Sequence, residues 1–362
     1  MITLQLLDSV GLGGVEKIAY YIHQNNLRLN SQSYIAINKD YYYKFTDYYN
    51  LNDNKNIILL DFSSSDAIIK KIIAYIKVIN YVKPNIIHTH ARRECISICL
   101  IKKIFRNIKH IRTQHMEELG GRKKTYVEKK LYKNGVDEWI VTSNKLLEDY
   151  LFKYVGNIRN AKIIYNGIES NASIKKESKK SNVVNLGFVG RITRQKGLDI
   201  LIKNLNNLND TYLKKIKLDI YGDGPELETL KVLVNDAKLN RNIEFHGYTK
   251  LPLEKIREFD ILIMPSRYEG VPLVMLESMS IGVPVAISNV GGVSEIIDTE
   301  NDGWIIYNNK WDSFLKDIIN GKYDIEEIGK NSIRKYNKRF TKDIMCENYY
   351  KEYGFIIEGK YE

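Results

Sequence analysis

The sequence has few of the residues that mark disulfide scaffolds and disordered chains. Its 362 residues include three cysteines and six prolines. So small and odd a set of cysteines excludes a disulfide framework and favours a reducing compartment. The scarcity of proline and the 44% hydrophobic content exclude a disordered chain and indicate a globular one. No stretch approaches the roughly 20 apolar residues of a membrane span, and no basic signal-peptide region begins the chain, so we expect a cytoplasmic protein.

Positive charge is concentrated in the first half of the chain. The formal net charge is +11, yet residues 1–180 alone contain 30 Lys or Arg against 17 Asp or Glu. Such a field suits membrane phospholipid, lipid pyrophosphate or nucleic acid, and an ordinary solvated surface is the alternative. The few aromatic residues of the most basic stretch, 92–133, argue against nucleic acid. Five basic residues of that stretch define a predicted basic face: Arg122, Lys123, Lys124, Lys129 and Lys130.

Strand-like and helix-like segments alternate along both halves, which predicts α/β domains with parallel sheets. We expect a doubly wound domain over residues 1–169, a polar linker at 170–181 and a second doubly wound domain at 182–341. In such domains ligands bind outside the carboxyl ends of the strands. The predicted strands are residues 3–7, 34–37, 57–60, 86–89, 108–113, 138–142, 162–165, 183–189, 217–221, 243–246, 261–264, 283–287 and 303–306.

The stretch from residue 264 to residue 297 is the most informative part of the sequence. An apolar strand and a break precede a helical pattern, so the backbone N–H groups near its start could hold an anion. Glu269 lies in the loop, and Glu277 lies one turn into the predicted helix, where it could accept the hydroxyls of a ribose. The predicted helix start consists of Gly270, Val271, Pro272 and Leu273.

This stretch resembles the signature of the family-four retaining nucleotide-sugar glycosyltransferases. The resemblance rests on Glu269 and Glu277, on the Gly-Val-Pro-Val run at 282–285, and on Gly291-Gly292 with Glu295. It implies the GT-B architecture, in which two Rossmann-like domains face each other across a cleft. It also implies that a last helix, within residues 342–362, crosses back to the first domain.

Two glycine-containing loops extend the resemblance. The loop at 190–197 matches a family motif whose Arg and Lys bind the leaving diphosphate, which implies that role for Arg191 and Lys196, with Arg194 a weaker candidate. Gly13 and Gly14 match a glycine loop near the donor phosphates and sugar. No Asp-X-Asp pair occurs to hold a divalent cation. We therefore expect no metal and no cofactor, with the basic side chains and the helix end neutralising the diphosphate.

Other candidate residues are His115, His90, Tyr248 and Asp223. His115 matches the family position at which an imidazole contacts the donor sugar near the reaction centre, and we prefer it to His90. Because His88 and His90 alternate on one strand, we expect their side chains to point to opposite faces. Tyr248 could shelter the base of the nucleotide, and Asp223 is predicted to cap a helix.

The expected activity is transfer of a sugar from a UDP-sugar to a hydroxyl of a glycan acceptor, with retention at the anomeric carbon. Glu269 would support the oxocarbenium-like transition state. The charge of the first half suggests a lipid-linked acceptor at the inner face of a bacterial membrane, in surface polysaccharide synthesis. The alternatives are a nucleotide-sugar 2-epimerase of similar architecture and a basic module that binds anionic membrane or nucleic acid.

Overall fold

The computed structural model describes residues 1–8, 13–51, 54–116, 125–155, 161–169 and 182–359. The chain forms two compact units. The N-terminal unit comprises Met1–Gly167 together with Lys342–Glu362, and the C-terminal unit comprises Ile168–Thr341. The predicted linker at 170–181 and the basic residues Arg122, Lys123 and Lys124 lie outside the described residues.

The N-terminal unit is a seven-stranded parallel sheet in the order β3-β2-β1-β4-β5-β6-β7. Its strands are largely buried, as expected of a parallel sheet with helices on both faces, and they carry buried polar side chains such as His88 and Arg112 among the apolar ones. Its elements are β1 (Ile2–Leu7), α1 (Gly14–Arg28), β2 (Gln32–Asn38), α2 (Tyr42–Tyr48), β3 (Ile57–Leu60), α3 (Ile68–Val82), β4 (Ile86–Thr89), α4 (Arg92–Ile101), β5 (Lys109–Gln114), α5 (Thr125–Gly135), β6 (Glu138–Val141), a π-helix (Leu146–Val155) and β7 (Ala161–Ile163).

The last helix of the chain, α13 (Lys342–Glu358), belongs to the N-terminal unit and packs against α1. Tyr349 and Tyr353 on this helix are fully buried. The Tyr353 hydroxyl accepts a hydrogen bond from Gln5 Nε2 on β1 at 3.0 Å. A helix almost 350 residues distant in sequence thus contributes side chains to the centre of the first sheet.

The C-terminal unit is a six-stranded parallel sheet in the order β10-β9-β8-β11-β12-β13. Its core is aliphatic, with Trp304 and Trp311 buried at one end. Its elements are β8 (Val184–Val189), a 3₁₀ turn (Arg194–Lys196), α6 (Leu198–Leu205), α7 (Asp210–Leu213), β9 (Ile216–Tyr221), α8 (Leu227–Asp236), β10 (Ile243–Gly247), α9 (Pro252–Ile256), β11 (Ile261–Met264), α10 (Leu273–Ser280), β12 (Val285–Ser288), a second 3₁₀ turn (Val293–Glu295), β13 (Gly303–Ile306), α11 (Trp311–Ile319) and α12 (Ile325–Arg339).

Both sheets reverse their strand order at one point. In the N-terminal unit β1 lies between β2 and β4, and in the C-terminal unit β8 lies between β9 and β11. At each reversal, two neighbouring strands are followed by loops that lead in opposite directions. These strands are β1 and β4 in one unit and β8 and β11 in the other. Ligands of doubly wound sheets bind in the space between such loops. A ligand is therefore expected at the loops after β1 and β4 in the N-terminal unit, and at the loops after β8 and β11 in the C-terminal unit.

The predicted fold class is confirmed, and each predicted strand occurs with its ends within about two residues of the expected positions. The prediction for Asp223 is wrong: α8 begins at Leu227 with Glu226 at its cap position, and the Asp223 carboxylate instead accepts the neighbouring N–H of Gly224 at 2.7 Å. Within the described part of the chain, every helix is too short or too polar to cross a bilayer.

Candidate functional site

In the C-terminal unit, the loops after β8 and β11 are tied together at the point where the strand order reverses. Arg267 donates to Asp199 through two nitrogens, each at 2.7 Å from a carboxylate oxygen. The backbone N–H of Arg267 donates to the carbonyl of Gln195 at 2.8 Å, and the Gln195 amide donates to the carbonyl of Tyr268 at 3.0 Å. This two-point ion pair and its backbone bonds fix the spacing of the two loops.

Gly197 in the loop after β8 and Gly291 in the loop after β12 allow backbone contacts that a side chain would block. Gly197 has φ +69°, and a Cβ there would lie 2.0 Å from the carbonyl oxygen of Pro265. Gly291 has φ +53°, and its Cβ would lie 2.0 Å from the carbonyl oxygen of Glu269. Only glycine fits such positions without strain. The glycine pair of the sequence signature therefore supports the loop that carries Glu269.

The loop after β11 brings Glu269 to Lys196 of the loop after β8. Lys196 Nζ lies 2.6 Å from Glu269 Oε1, and the Ser266 hydroxyl donates to the same oxygen at 2.8 Å. The Glu269 side chain is 6% exposed and that of Lys196 is 19% exposed. An ammonium has three donors, so the bond to Glu269 leaves Lys196 able to donate to a ligand as well. Two residues assigned to different parts of a donor thus lie in direct contact.

Helix α10 starts immediately after this loop. It begins at Leu273, and Pro272, which has no N–H, takes the cap position. Val271 and Pro272 are buried, whereas Gly270 and Leu273 are partly exposed. Glu277 lies in the second turn and is 8% exposed. The first N–H groups of a helix attract an anion, which makes this end suitable for a phosphate.

The other predicted residues of the C-terminal unit lie on its surface. Arg191 and Arg194, in the loop after β8, are exposed, and the carbonyl of Arg194 accepts a bond from Arg267 at 2.7 Å. Tyr248, just after β10, is 71% exposed. Exposed basic side chains at a strand end remain available to a ligand, and an exposed tyrosine offers a ring on which a base could stack.

One group of side chains in the described residues has metal-ligating chemistry. Asp219, Glu244 and His246 bring ligand atoms within 4.8 Å of one another on the outer strands β9 and β10. Lys217 Nζ lies 3.1 Å from Asp219 Oδ1 and 3.3 Å from Glu244 Oε2. Because this ammonium already contacts both carboxylates and offsets one of their two charges, we assign no metal to the group.

In the N-terminal unit, the glycines after β1 stand at the start of α1. The helix begins at Gly14, and the backbone N–H of Gly13 donates to Glu16 Oε2 at 2.8 Å. This is half of a capping box, in which a carboxylate stabilises the positive end of the helix. Both glycines are exposed, whereas Glu16 is buried. The carboxylate of Glu16 therefore already offsets part of the positive charge at this helix end.

His90 and His115 lie in contact at the carboxyl ends of β4 and β5. Their rings stack with centroids 5.5 Å apart, and His90 Nδ1 lies 3.1 Å from His115 Nε2. Burial lowers the pKa of His115 to about 3 and that of His90 well below its usual value, so both imidazoles are neutral at pH 7. The structure thus brings together the two histidines that the sequence analysis treated as alternatives.

The hydrogen bonds around the pair define which nitrogen of His115 carries a proton. His90 Nε2 lies 2.7 Å from Gln5 Oε1, which can only accept, so His90 donates there and its Nδ1 is an acceptor. His115 Nε2 must then donate to His90 Nδ1. His115 Nδ1 is left with a lone pair, which can accept a hydrogen bond from a ligand hydroxyl.

The expectation that His88 and His90 point to opposite faces is wrong. Their ring centroids are 4.1 Å apart, because residues two apart on a strand share a face. His88 Nδ1 lies 2.5 Å from the hydroxyl of Tyr353, and His88 Nε2 lies 2.7 Å from the hydroxyl of Thr113. The Tyr353 hydroxyl therefore connects His88 with Gln5, and through Gln5 with the His90–His115 pair.

Glu94 is a residue that the sequence analysis did not identify. It is 1% exposed, and its carboxyl oxygens accept the backbone N–H groups of Asp8 at 2.5 Å, His90 at 2.9 Å and Ala91 at 3.0 Å. Burial raises its pKa to about 8 in spite of these bonds. Glu94 thereby joins the ends of β1 and β4 where the sheet reverses its order. The available signal was an acidic residue in the first turn of the helix after a buried strand.

Comparison with known proteins assigns a family to the C-terminal part of the chain. Residues 169–331 match the family model described as glycosyl transferases group 1. These residues belong to the glycosyl transferases group 1 family. The matched region contains both tied loops, helix α10 and each predicted site residue of the C-terminal unit.

Curated relatives match longer stretches of the chain. The O-antigen biosynthesis glycosyltransferase WclY of Escherichia coli is 29% identical over 204 residues, which cover 54% of this chain and 56% of WclY. An uncharacterized 41.2 kDa protein in the cps region of Klebsiella pneumoniae is 27% identical over 309 residues, covering 77% of this chain and 82% of that protein. The chain spans somewhat over half the length of the first curated relatives it matches.

The likeness to solved structures extends over both units. HepE of Anabaena, in complex with UDP-glucose, has a TM-score of 0.80 at 18% identity, and the match covers 98% of this chain and 99% of HepE. At this identity the likeness shows the fold alone. Together with the two Rossmann-like sheets, it shows that the chain has the GT-B fold.

Proposed function

We propose that this protein transfers a sugar from a UDP-sugar to a hydroxyl of a glycan acceptor, with retention at the anomeric carbon and without a metal. The observation that carries the proposal is the contact of Lys196 with Glu269 beside the N-terminus of α10. A cation, a carboxylate and a helix end converge there, inside a group 1 domain. This combination serves a donor with an anionic diphosphate and a sugar that becomes positively charged in the transition state.

The residues of the C-terminal unit divide the work by charge. Arg191, Lys196 and the N–H groups at the start of α10 stabilise the negative charge that develops on the departing diphosphate. Glu277 accepts the hydroxyls of the ribose. Glu269 orients the sugar and stabilises its oxocarbenium-like transition state, and its bond to Lys196 fixes the position of its carboxylate. Tyr248 covers the base.

The N-terminal unit supplies neutral groups. Gly13 and Gly14 approach the donor through the backbone, and His115 accepts a hydroxyl of the sugar through Nδ1, with His90 behind it. A neutral imidazole suits this position, because a cation there would oppose positive charge at the anomeric carbon. The low pKa of His115 supports that assignment.

The acceptor that we propose is a lipid-linked oligosaccharide used in bacterial surface polysaccharide synthesis. WclY is named for O-antigen biosynthesis, and the Klebsiella relative is named for its cps region. The excess positive charge of the first half suits a lipid pyrophosphate and a peripheral position on the inner face of the membrane. Of the predicted basic face, Lys130 on α5 is exposed and Lys129 is partly exposed.

A thermal-shift panel of UDP-, GDP- and dTDP-sugars tests the proposal. A ligand that binds only the folded state stabilises it by about 2.7 kcal/mol at 100 times its Kd, so a UDP-sugar should raise Tm and the other nucleotides should not. The shift should persist in a chelator. A strict requirement for Mn²⁺ or Mg²⁺ would contradict the role of Lys196 and Arg191. Recovery of an epimerised sugar without acceptor would favour the 2-epimerase instead.

A further inference from the structure

A cavity of about 400 Å³ lies in the N-terminal unit, between the loop after β3 and the first turns of α3 and α4. Its lining includes Ser64 and Ser65 from the loop, Lys71 from α3 and Arg93 from α4. Lys71 Nζ lies 3.4 Å from Oδ2 of Asp8, the residue that follows β1. The cavity is therefore close to the carboxyl ends of β1 and β4, where the strand order of this sheet reverses.

Lys71 is a buried cation in the wall of the cavity. Its side chain is 6% exposed, and its ammonium donates to the carbonyl of Ser64 at 2.9 Å and pairs with Asp8. The Asp8 carboxylate is held from a second side, because its Oδ1 accepts a bond from Nδ2 of Asn38 at 3.2 Å. An ammonium has three donors, so Lys71 keeps one for a ligand.

Arg93 is a second cation at the cavity, and it is exposed. Within the described residues its guanidinium makes one hydrogen bond, to the carbonyl of Ser64 at 3.4 Å. Asp66, which also lines the cavity, pairs with Lys70 at 2.8 Å. Asp8 and Asp66 are thus each balanced by a lysine, and Arg93 is a positive charge in excess. A guanidinium can bind a carboxylate or a phosphate through two parallel hydrogen bonds.

The other walls of the cavity suit a sugar ring. Ser64 Oγ accepts a bond from Nδ2 of Asn38 at 3.2 Å, so its own O–H can donate to a ligand. Ser97 Oγ donates to a backbone carbonyl of α4 at 2.9 Å and keeps lone pairs that can accept a hydroxyl. Ile68 and Ile96 complete the lining and offer apolar surface to C–H groups. Hydroxyls, aliphatic surface and one cation in excess match a sugar with an acidic substituent.

We propose that this cavity binds the anionic group of an acidic sugar in the acceptor glycan, with Arg93 and Lys71 as its cations. The group is a carboxylate, as in a uronic acid, or a phosphate ester on the sugar, because a guanidinium and an ammonium can hold either. The inference rests on the proposed function, and it names the class of acceptor that such a transferase would select. Both cations bind and position the acceptor and take no part in bond making.

Methyl NMR of isoleucine-labelled protein can locate the ligand. Methyl glucuronoside and glucose 6-phosphate should shift the signals of Ile68 and Ile96, and methyl glucoside should bind about tenfold more weakly because it lacks the charge. The acid that binds at the lower concentration identifies the group as carboxylate or phosphate. Ile69 is adjacent on α3 and 69% exposed but does not line the cavity, so its signal should stay unchanged.

Substitution of Arg93 tests the charge in excess. Arg93→Gln should bind the two sugar acids about tenfold more weakly, close to the level of methyl glucoside, and Arg93→Lys should retain part of the affinity. Arg106→Gln is the matched control, because Arg106 is an exposed arginine of the same unit that does not line the cavity. It should bind both acids like the wild type.

Three outcomes would overturn the proposal. The first is equal binding of charged and neutral glycosides, and the second is an Arg93→Gln variant that keeps the preference for the acids. The third is a shift of Ile68 and Ile96 by acetate or inorganic phosphate at the concentrations at which the sugar acids act, because the cavity would then be a plain anion site.

The donor site is checked in the same spectra through Ile200, which lies beside Gly197 in the C-terminal unit. If UDP shifts the Ile200 signal while the sugar acids leave Ile68 and Ile96 unchanged, the acidic acceptor is refuted and the proposed function stands. If UDP has no effect on Ile200, the proposed function fails and the acceptor assignment fails with it.

Discussion

Neutralising Glu269 should separate donor binding from turnover. Glu269 accepts hydrogen bonds from Lys196 and Ser266 through one oxygen, and Glu269→Gln keeps the shape of the side chain while removing its charge. Lys196 remains a charged donor to the new amide, so the change removes only the ion pair, which contributes about 1 kcal/mol at a partly exposed site. The change therefore frees about 1 kcal/mol of the interaction of Lys196 for a diphosphate.

The two consequences have opposite signs. UDP should bind about fivefold more tightly, which corresponds to about 1 kcal/mol, as measured by isothermal titration calorimetry. Turnover should fall by about 10²–10³, because the carboxylate no longer offsets positive charge on the sugar in the transition state. A variant that binds UDP more weakly and retains its turnover would refute the reasoning, since the carboxylate would then act in the ground state only.

Asp199→Asn is the control for loop position. It weakens the other ion pair between the same two loops, in which Arg267 holds the pKa of Asp199 below its usual value, and it leaves Lys196 and Glu269 in place. If Glu269→Gln acts only by loosening the two loops, Asp199→Asn should reproduce its loss of turnover. We expect a modest loss of stability and a turnover within about threefold of the wild type, since a partly exposed pair contributes about 1 kcal/mol or less.

Three further predictions concern other buried groups. Glu277→Ala should chiefly weaken donor binding, whereas Glu269→Ala should chiefly lower turnover, as separate measurements of kcat and KM would reveal. If both variants lost binding and turnover equally, the division of roles would be contradicted. ¹⁵N NMR should find His115 protonated at Nε2, and Tyr353→Phe should disturb this tautomer, whereas Tyr349→Phe should not, because only the Tyr353 hydroxyl contacts Gln5. Burial lowers the pKa of His23 to about 4 from about 6.5, so its contribution to stability is complete above pH 6.5 and declines as pH falls towards 4. The free energy of unfolding, measured with urea, should therefore fall between pH 7 and pH 5 by about 2 kcal/mol less in His23→Gln than in the wild type. Equal decreases would contradict the assignment.

Most strands of both sheets were predictable because they are short, largely apolar runs between turn residues. Parallel strands are buried on both faces, so their sequences carry a strong signal that does not depend on contacts with distant residues. The short helix α2 carries no comparable signal. The helix cap at Glu226 was missed for a related reason, since caps depend on local backbone angles.

The sequence predicts residues for a candidate site but not the contacts between them. Glu269 and Lys196 belong to separate motifs, and nothing in the spacing of either motif indicates that their side chains meet. The Gln5–Tyr353 bond joins residues 348 positions apart. Such contacts depend on how elements that are distant in sequence pack together, and a local sequence pattern carries no information about that packing. The period of two residues along a strand is enough to place His88 and His90 on the same face, and the sequence analysis assigned them incorrectly to opposite faces.

The reversal points of the two sheets are built from carboxylates used in opposite ways. In the N-terminal unit, Glu94 accepts three backbone N–H groups and is buried with a raised pKa, so its role is to hold strand ends and it presents no charge to a ligand. Beside it, His90 and His115 are neutral. In the C-terminal unit, Glu269 is paired with a lysine that keeps further donors available. A neutral, hydrogen-bonding edge suits the hydroxyls of a sugar, whereas an edge with both charges suits a diphosphate and the cationic carbon that it leaves. In the proposed function, the first kind of edge serves the hydroxyls of the sugar and the second serves the diphosphate.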